Sequence, residues 1–316
     1  MKGKVLITEV VHPVLKTELT GFGFTCNHFE KITYEEVQQI IGDYTGLVVR
    51  SKIKADRQLI DKGKTLKFIA RTGSGMELID VPFASQKGIT CFNSPEGNRD
   101  SVAEHATGMV LSLLHNINKS HAELKNGIWS RIENTGSELS GKTVGIIGFG
   151  NTGSAFAKRM KAFEVNILAY DKYKFGFSEH GVKECNLNQI FELAEIVSLH
   201  IPLTNETHAM INSNFISQFK RPIYLVNTSR GGIAKTDDLL TALQKGQLKG
   251  LAIDVFENED LNTYQHEDYR LLVELGKCKN VIMTPHIAGV THESTYKIAY
   301  VLAKKIIEHY TVSNNC

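Results

Sequence analysis

Short runs of apolar and β-branched residues alternate along this chain with segments whose apolar positions recur every three to four residues. The runs Lys4–Thr8, Gly46–Arg50, Leu66–Arg71 and Ile89–Phe92 predict strands, and Thr33–Ile41 and Ala55–Lys62 predict helices between them. A second series predicts strands at Thr143–Phe149, Val165–Tyr170, Ile196–His200, Ile223–Asn227, Leu251–Val255 and Val281–Thr284. Val144-Gly145-Ile146-Ile147 is apolar without alternation, as in a strand covered on both faces. Strands that alternate with helices predict parallel sheets and an α/β class. One long amphipathic helix is expected over Ser101–Lys125 and another over His292–Tyr310. Two such helices flanking one α/β series read as connectors. The expected organisation is therefore two Rossmann-like or flavodoxin-like parallel-sheet domains. Residues 1–99, completed by 290–316, form one, and residues 100–289 are inserted as the other.

Composition narrows the classes. The 316 residues suffice for two cores, and the 42% apolar and 22% charged fractions are ordinary globular usage. A formal net charge of +2 offers no field for nucleic acid or an anionic membrane. No apolar run approaches the ~20 residues of a membrane span. Cys26, Cys91, Cys185, Cys278 and Cys316 are scattered and odd in number, without zinc-knuckle or redox spacing. Reduced thiols, a cytoplasmic location and no metal site are expected.

The chemistry begins at Gly148-Phe149-Gly150-Asn151-Thr152-Gly153, which ends a buried strand and opens a helix. G-x-G-x-x-G there serves a tight turn, close approach to a pyrophosphate, and packing of helix on strand, with the helix N-terminus facing phosphate. The next strand ends in Asp171, about 20 residues on, where a carboxylate can accept ribose hydroxyls and repel a 2′-phosphate. That favours NAD as cofactor over NADP, although the neighbouring Lys172 pulls the other way. Three further clusters lie at strand ends, where open parallel sheets bind ligands. They carry Arg230, Asp254 with Glu257 and Glu259, and His286. An arginine suits an α-carboxylate and its keto oxygen, and a histidine suits the proton that accompanies hydride transfer. A carboxylate on the second ring nitrogen would raise the histidine pKa.

These segments, with Arg71-Thr72-Gly73-Ser74-Gly75, Ser101-Val102-Ala103-Glu104-His105 and His200-Ile201-Pro202-Leu203-Thr204, resemble the D-isomer-specific 2-hydroxyacid dehydrogenase family over essentially the whole chain. The resemblance implies Arg230, Glu259 and His286 as the catalytic set, with Glu257 a nearby decoy. It implies His200, Pro202, Thr207, Thr228, Asp254, Ala288 and Gly289 around the cofactor. It also implies Gly73, Ser74 and Gly75 as the substrate-carboxylate loop. Asp260 stands where the family usually has proline. His105 reads as a packing residue of the connector helix. Within the family the chain looks most like short-type phosphoglycerate dehydrogenases, which implies Arg50, Ser51 and Asn98 as contacts to a phosphorylated substrate. The implied reaction is oxidation of 3-phosphoglycerate to 3-phosphohydroxypyruvate, the entry to serine synthesis. Reduction of hydroxypyruvate or glyoxylate is the alternative substrate reading, and an NAD-sensing corepressor-like module without turnover is the alternative class. A homodimer is expected, with Trp129 near its interface. With six residues after Tyr310, no appended effector domain is expected.

Overall fold

The computed structural model describes residues 2–178 and 181–312. The chain folds into two compact units, Met1–Arg99 with Val290–Cys316, and Asp100–Gly289.

The first unit holds strands β1 (Lys4–Ile7), β2 (Thr25–His28), β3 (Gly46–Val49), β4 (Phe68–Arg71) and β5 (Thr90–Phe92). Their order is β2-β1-β3-β4-β5, and every pair is parallel. This is the flavodoxin order. Alternate residues feed opposite faces of the sheet. Leu6, Leu47, Val49 and Ile69 enter one buried cluster. Val5, Ile7, Val48, Phe68 and Ala70 enter the other, where Ala299, Leu302, Ala303 and Ile306 of the closing helix His292–Val312 complete the layer.

The second unit holds β6 (Thr143–Ile147), β7 (Asn166–Tyr170), β8 (Val182–Glu184), β9 (Ile196–Leu199), β10 (Ile223–Asn227), β11 (Leu248–Ile253) and β12 (Val281–Met283). The order is β12-β11-β10-β9-β6-β7-β8, again wholly parallel. Its first six strands in sequence follow the doubly wound dinucleotide-binding order, and β12 extends the edge. Strand order reverses between β6 and β9. The loops after these two strands therefore diverge at the switch point where such sheets bind ligands.

Two expectations are corrected. The long helix is two helices, Pro95–Leu114 and Ile117–Lys125. Asn116 breaks it by taking a left-handed φ of 53°, a conformation that asparagine tolerates better than most residues. Its start at Pro95 also precedes the expected one, because proline is at home in a first helical turn. The edge strands β2 (Thr-Cys-Asn-His) and β8 (Val-Lys-Glu) carry no apolar run, as befits short, polar edges, and the hydrophobic pattern does not announce them. Cys26, Cys91, Cys185 and Cys278 are free thiols, and Cys316 lies outside the described residues. No described helix is long and apolar enough to cross a membrane, and no described cluster of His, Cys, Asp or Glu is arranged to hold a metal.

Candidate active site

In the second unit, β6 runs into Gly148 at φ +95°, a region open to glycine. A Cβ on Gly148 would stand 2.4 Å from the His200 carbonyl, and one on Gly153 would stand 2.0 Å from the Gly148 carbonyl. These two glycines therefore close the turn and seat the helix Asn151–Met160 on the sheet. Gly150 differs, because a Cβ there would meet nothing within 4 Å. Its neighbourhood is open at the N-terminus of that helix, where the first-turn N–H groups lack intrahelical acceptors. This is the cradle that a pyrophosphate requires.

Asp171 lies at the end of β7 and ties into the same loop. Its Oδ2 accepts the Phe149 N–H at 2.8 Å, and its Oδ1 accepts those of Tyr173 and Lys174 at 2.9 and 3.0 Å. A carboxylate offers about four acceptor positions, so roughly one is left for a ribose hydroxyl. Lys172 is turned to Glu206, Nζ to Oε2 2.8 Å, and the Tyr173 hydroxyl bonds to the same carboxylate. His200 is buried behind the loop. Its Nε2 meets Ser198 Oγ at 2.9 Å and its Nδ1 meets Thr152 Oγ1 at 3.3 Å. Burial pushes its pKa down to about 3, so the ring is neutral. The Thr207 hydroxyl donates to the Pro202 carbonyl at 2.6 Å and accepts the Thr204 N–H at 2.8 Å, which closes the loop after β9. The buried Thr228 hydroxyl has no partner. An orphaned hydroxyl at a strand end, an open glycine and free helix-terminal amides together fit a dinucleotide.

Arg230, Glu259 and His286 are brought together. Glu259 Oε2 lies 2.7 Å from His286 Nδ1, and its Oε1 accepts the Phe256 N–H at 3.2 Å. Arg230 is close enough to act electrostatically on both. The hydrogen bond to Glu259 raises the His286 pKa above its ordinary value, against desolvation and the Arg230 charge. Burial pushes Glu259 up, but the His286 hydrogen bond and charge, the Phe256 amide and Arg230 bring it below the usual carboxylate value. The Arg230 backbone fits here because Gly231 follows it, where a Cβ would stand 1.8 Å from the Phe256 carbonyl. Glu257 does not join the group. It accepts the Thr236 N–H at 2.6 Å, at the start of the helix Thr236–Gln244. Asp260 accepts from the amide and side chain of Asn262, both at 3.0 Å, and opens a short turn there.

His286 itself has φ +54°, a left-handed conformation costing ~1–3 kcal/mol in a non-glycine residue. The wholly buried Asp254 holds that turn. Its carboxylate accepts the Thr284 hydroxyl and the Ile287 and Ala288 N–H groups, the latter two at 2.9 and 2.8 Å. Gly289 ends the unit just after this turn.

In the first unit, Ser74 Oγ donates to Asn98 Oδ1 at 2.6 Å, and Asn93 Nδ2 donates to the Ser74 carbonyl at 2.6 Å. Gly73 N–H is taken by the Arg71 carbonyl, which leaves the Ser74 and Gly75 amides as the loop's unpartnered donors among the described residues. The sequence reading misses Glu9. This buried carboxylate at the end of β1 accepts the N–H groups of Arg50, Ser51 and Lys52 at 2.8 to 3.0 Å, and the Ser51 hydroxyl at 2.8 Å. The Arg50 guanidinium donates to the Val10 carbonyl at 3.0 Å. An acidic residue directly after a buried strand is a signal that the sequence does carry.

Residues 107–288 match the family model described as the D-isomer specific 2-hydroxyacid dehydrogenase, NAD binding domain. A hydroxypyruvate reductase of Thermotoga maritima is 38% identical over 284 residues, covering 90% of each chain. A D-3-phosphoglycerate dehydrogenase of Archaeoglobus fulgidus is 34% identical over 306 residues, 96% of this chain but 56% of that protein, so this chain spans about half the length of that relative. Among solved structures, the D-lactate dehydrogenase of Aquifex aeolicus complexed with NAD and lactic acid superposes with a TM-score of 0.84 at 30% identity, covering 98% of this chain and 96% of that one. The cofactor of this domain is NAD. The chain belongs to the D-isomer specific 2-hydroxyacid dehydrogenase family.

Proposed function

We propose that the chain interconverts a D-2-hydroxy acid and its 2-keto acid, with 3-phosphoglycerate and 3-phosphohydroxypyruvate as the pair, at the entry to serine synthesis in the cytoplasm. The observation that carries the oxidoreductase reading is the His286–Glu259 pair beside Arg230. NAD, when bound, accepts or delivers the hydride. Arg230 holds the substrate carboxylate and polarises the keto oxygen. His286 has Nδ1 held by Glu259, so Nε2 gives the proton to the keto oxygen in reduction and takes it back in oxidation. Glu259 stabilises the imidazolium and fixes the ring. In the first unit, the Ser74 and Gly75 amides are the donors that the family resemblance assigns to a carboxylate, and Asn98 accepts the Ser74 hydroxyl. On the cofactor side, Gly150, Asn151 and Thr152 offer amides to the pyrophosphate, Asp171 takes the ribose, and the Thr228 hydroxyl finds its partner there.

The Arg50 guanidinium, and relatives named D-3-phosphoglycerate dehydrogenase, support a phosphorylated substrate. One observation favours hydroxypyruvate as a second reading. Glu9 already fills the Ser51 and Lys52 amides and the Ser51 hydroxyl, the donors that a phosphate would seek, with its own negative charge. Comparing kcat/KM for 3-phosphohydroxypyruvate and hydroxypyruvate with NADH decides between them. The first reading requires the phosphorylated acid to be preferred, and the second requires the reverse. Absence of turnover with either, and with glyoxylate, would overturn both.

The partner we propose is a second copy of this chain. Trp129 and Ile132 are each 82% exposed, and Ile117, Leu124 and Ile128 are also exposed on the helix Ile117–Lys125 and the segment after it. A cluster of large apolar side chains left to water marks an association surface.

A further inference from the structure

We propose that His105 is a positioning residue for the His286 turn, acting through Thr284 and Asp254. The proposal rests on the reading of His286 as the proton donor.

His105 lies on the helix Pro95–Leu114, away from the cofactor loop in sequence, and the catalytic scheme does not use it. Its Nε2 is 3.0 Å from Thr284 Oγ1. Thr284 commits its one hydroxyl proton to Asp254 Oδ1, so its oxygen accepts, and the proton on the His105 contact belongs to Nε2. Asp254 Oδ1 also receives the Ile287 N–H at 2.9 Å, and its Oδ2 receives the Ala288 N–H at 2.8 Å. Between these anchored residues, the His286 amide donates to the Asp254 carbonyl at 2.7 Å and to the Thr284 carbonyl at 3.1 Å.

Donors thus run in one direction, from an imidazole N–H through a hydroxyl to a carboxylate that grips both flanks of a left-handed histidine. Ser101, one turn earlier on the same helix face, donates its hydroxyl to the Ala288 carbonyl at 2.6 Å. The helix therefore touches the turn at its beginning and at its end. A φ of +54° is held only by its surroundings, and these are the surroundings. Without the His105 donor the Thr284 hydroxyl is free to rotate off Asp254. The turn can then relax and carry the imidazole away from the position that Glu259 fixes.

Such a role predicts a loss of rate that exceeds any loss of cofactor binding. His105→Phe keeps an aromatic ring and removes the donor. Its kcat should fall ~10-fold or more, as for an ångström-scale misplacement of a reacting group, a larger change than any in KM for NADH. His105→Gln supplies an N–H at similar reach and should restore most of the rate. Thr284→Val should mimic His105→Phe, Thr284→Ser should rescue it, and the double variant His105→Phe/Thr284→Val should be no slower than the slower single, because both act through one chain of bonds. If His105→Phe fails to fold, the Thr284 pair reads the same link from its other end. Native kcat in His105→Phe while His286→Ala is inactive would overturn the proposal, as would equal losses in the Phe and Gln variants. Substantial turnover by His286→Ala is a separate outcome, which removes the acid–base reading and the brace with it.

Discussion

Glu259 Oε2 and His286 Nδ1 stand 2.7 Å apart, and each shifts the other's proton affinity in the direction that keeps the pair charged. Reduction needs the imidazolium, so kcat/KM for a keto acid should hold at acid and neutral pH and fall as pH climbs through the raised His286 value. In Glu259→Gln that limb should move to lower pH. The loss should be greatest from neutral pH upward and least in acid, read from kcat/KM against pH. An unmoved limb would remove Glu259 from this role. Stability follows the same signs. The His286 contribution is complete below about 6.5 and is lost as pH rises through the raised value, whereas that of Glu259 is present above about 4.5 and is lost as pH falls through the lowered one.

Two of the loop glycines should separate folding from binding. Gly153→Ala drives a methyl into the Gly148 carbonyl, 2.0 Å away, and should destabilise the domain by about 1–3 kcal/mol or more. Gly150→Ala meets nothing within 4 Å, so its melting temperature should match the native protein while NADH affinity drops. Thermal melts with an NADH titration check both. Undiminished affinity in Gly150→Ala would mean that the pyrophosphate does not pass there.

Cofactor choice should depend on Glu206 as well as Asp171. Lys172 directly follows Asp171, and Glu206 holds its ammonium group at 2.8 Å. Glu206→Gln should therefore raise the ratio of kcat/KM for NADPH over NADH a few-fold, and adding Lys172→Ala should abolish the gain. A gain that survives the second change would point to another cation.

Arg50→Ala and Ser51→Ala should behave differently. Loss of a charge-assisted contact to phosphate costs ~1.5–3 kcal/mol, roughly 10- to 100-fold in kcat/KM for 3-phosphohydroxypyruvate, with hydroxypyruvate nearly unaffected. Ser51→Ala removes a bond to Glu9, so it should lower the melting temperature and cost both substrates alike. If Arg50→Ala costs both substrates equally, the phosphate contact is not at Arg50.

Sedimentation should give the mass of two chains. Trp129→Lys with Ile132→Lys should give that of one, because a charge on each exposed ring or branch opposes apolar association. A native mass of one chain would refute the dimer.

Positions where chemistry dictates residue type are the legible ones. Only glycine fits at Gly148 and Gly153, and a histidine with a carboxylate partner has few substitutes, so these stand out in the bare chain. Glu259 and Glu257 can be told apart in the sequence only through family resemblance. Their roles diverge because one side chain turns to His286 and the other to the Thr236 amide, a matter of loop path that no spacing encodes. Asp254 reads from the sequence as a ligand for the cofactor. Its three internal donors come from residues 284, 287 and 288, far along the chain, and make it also the anchor of a turn. Asn116 and the polar edge strands escape for a simpler reason. Hydrophobic periodicity reports buried faces and is silent where a helix breaks in solvent or a strand lies at an edge.

His200 closes the cofactor loop from behind and stays neutral down to about pH 3. An unfolded chain takes up that proton near pH 6.5. Between those limits every unit of acidification therefore favours the unfolded chain by ~1.4 kcal/mol through this one side chain. His286 pulls the other way, since its raised affinity rewards the folded state for keeping a proton. His200 and His286 thus act against each other in acid, within one domain. One is charged for turnover, and the other is kept dry so that a glycine loop can close.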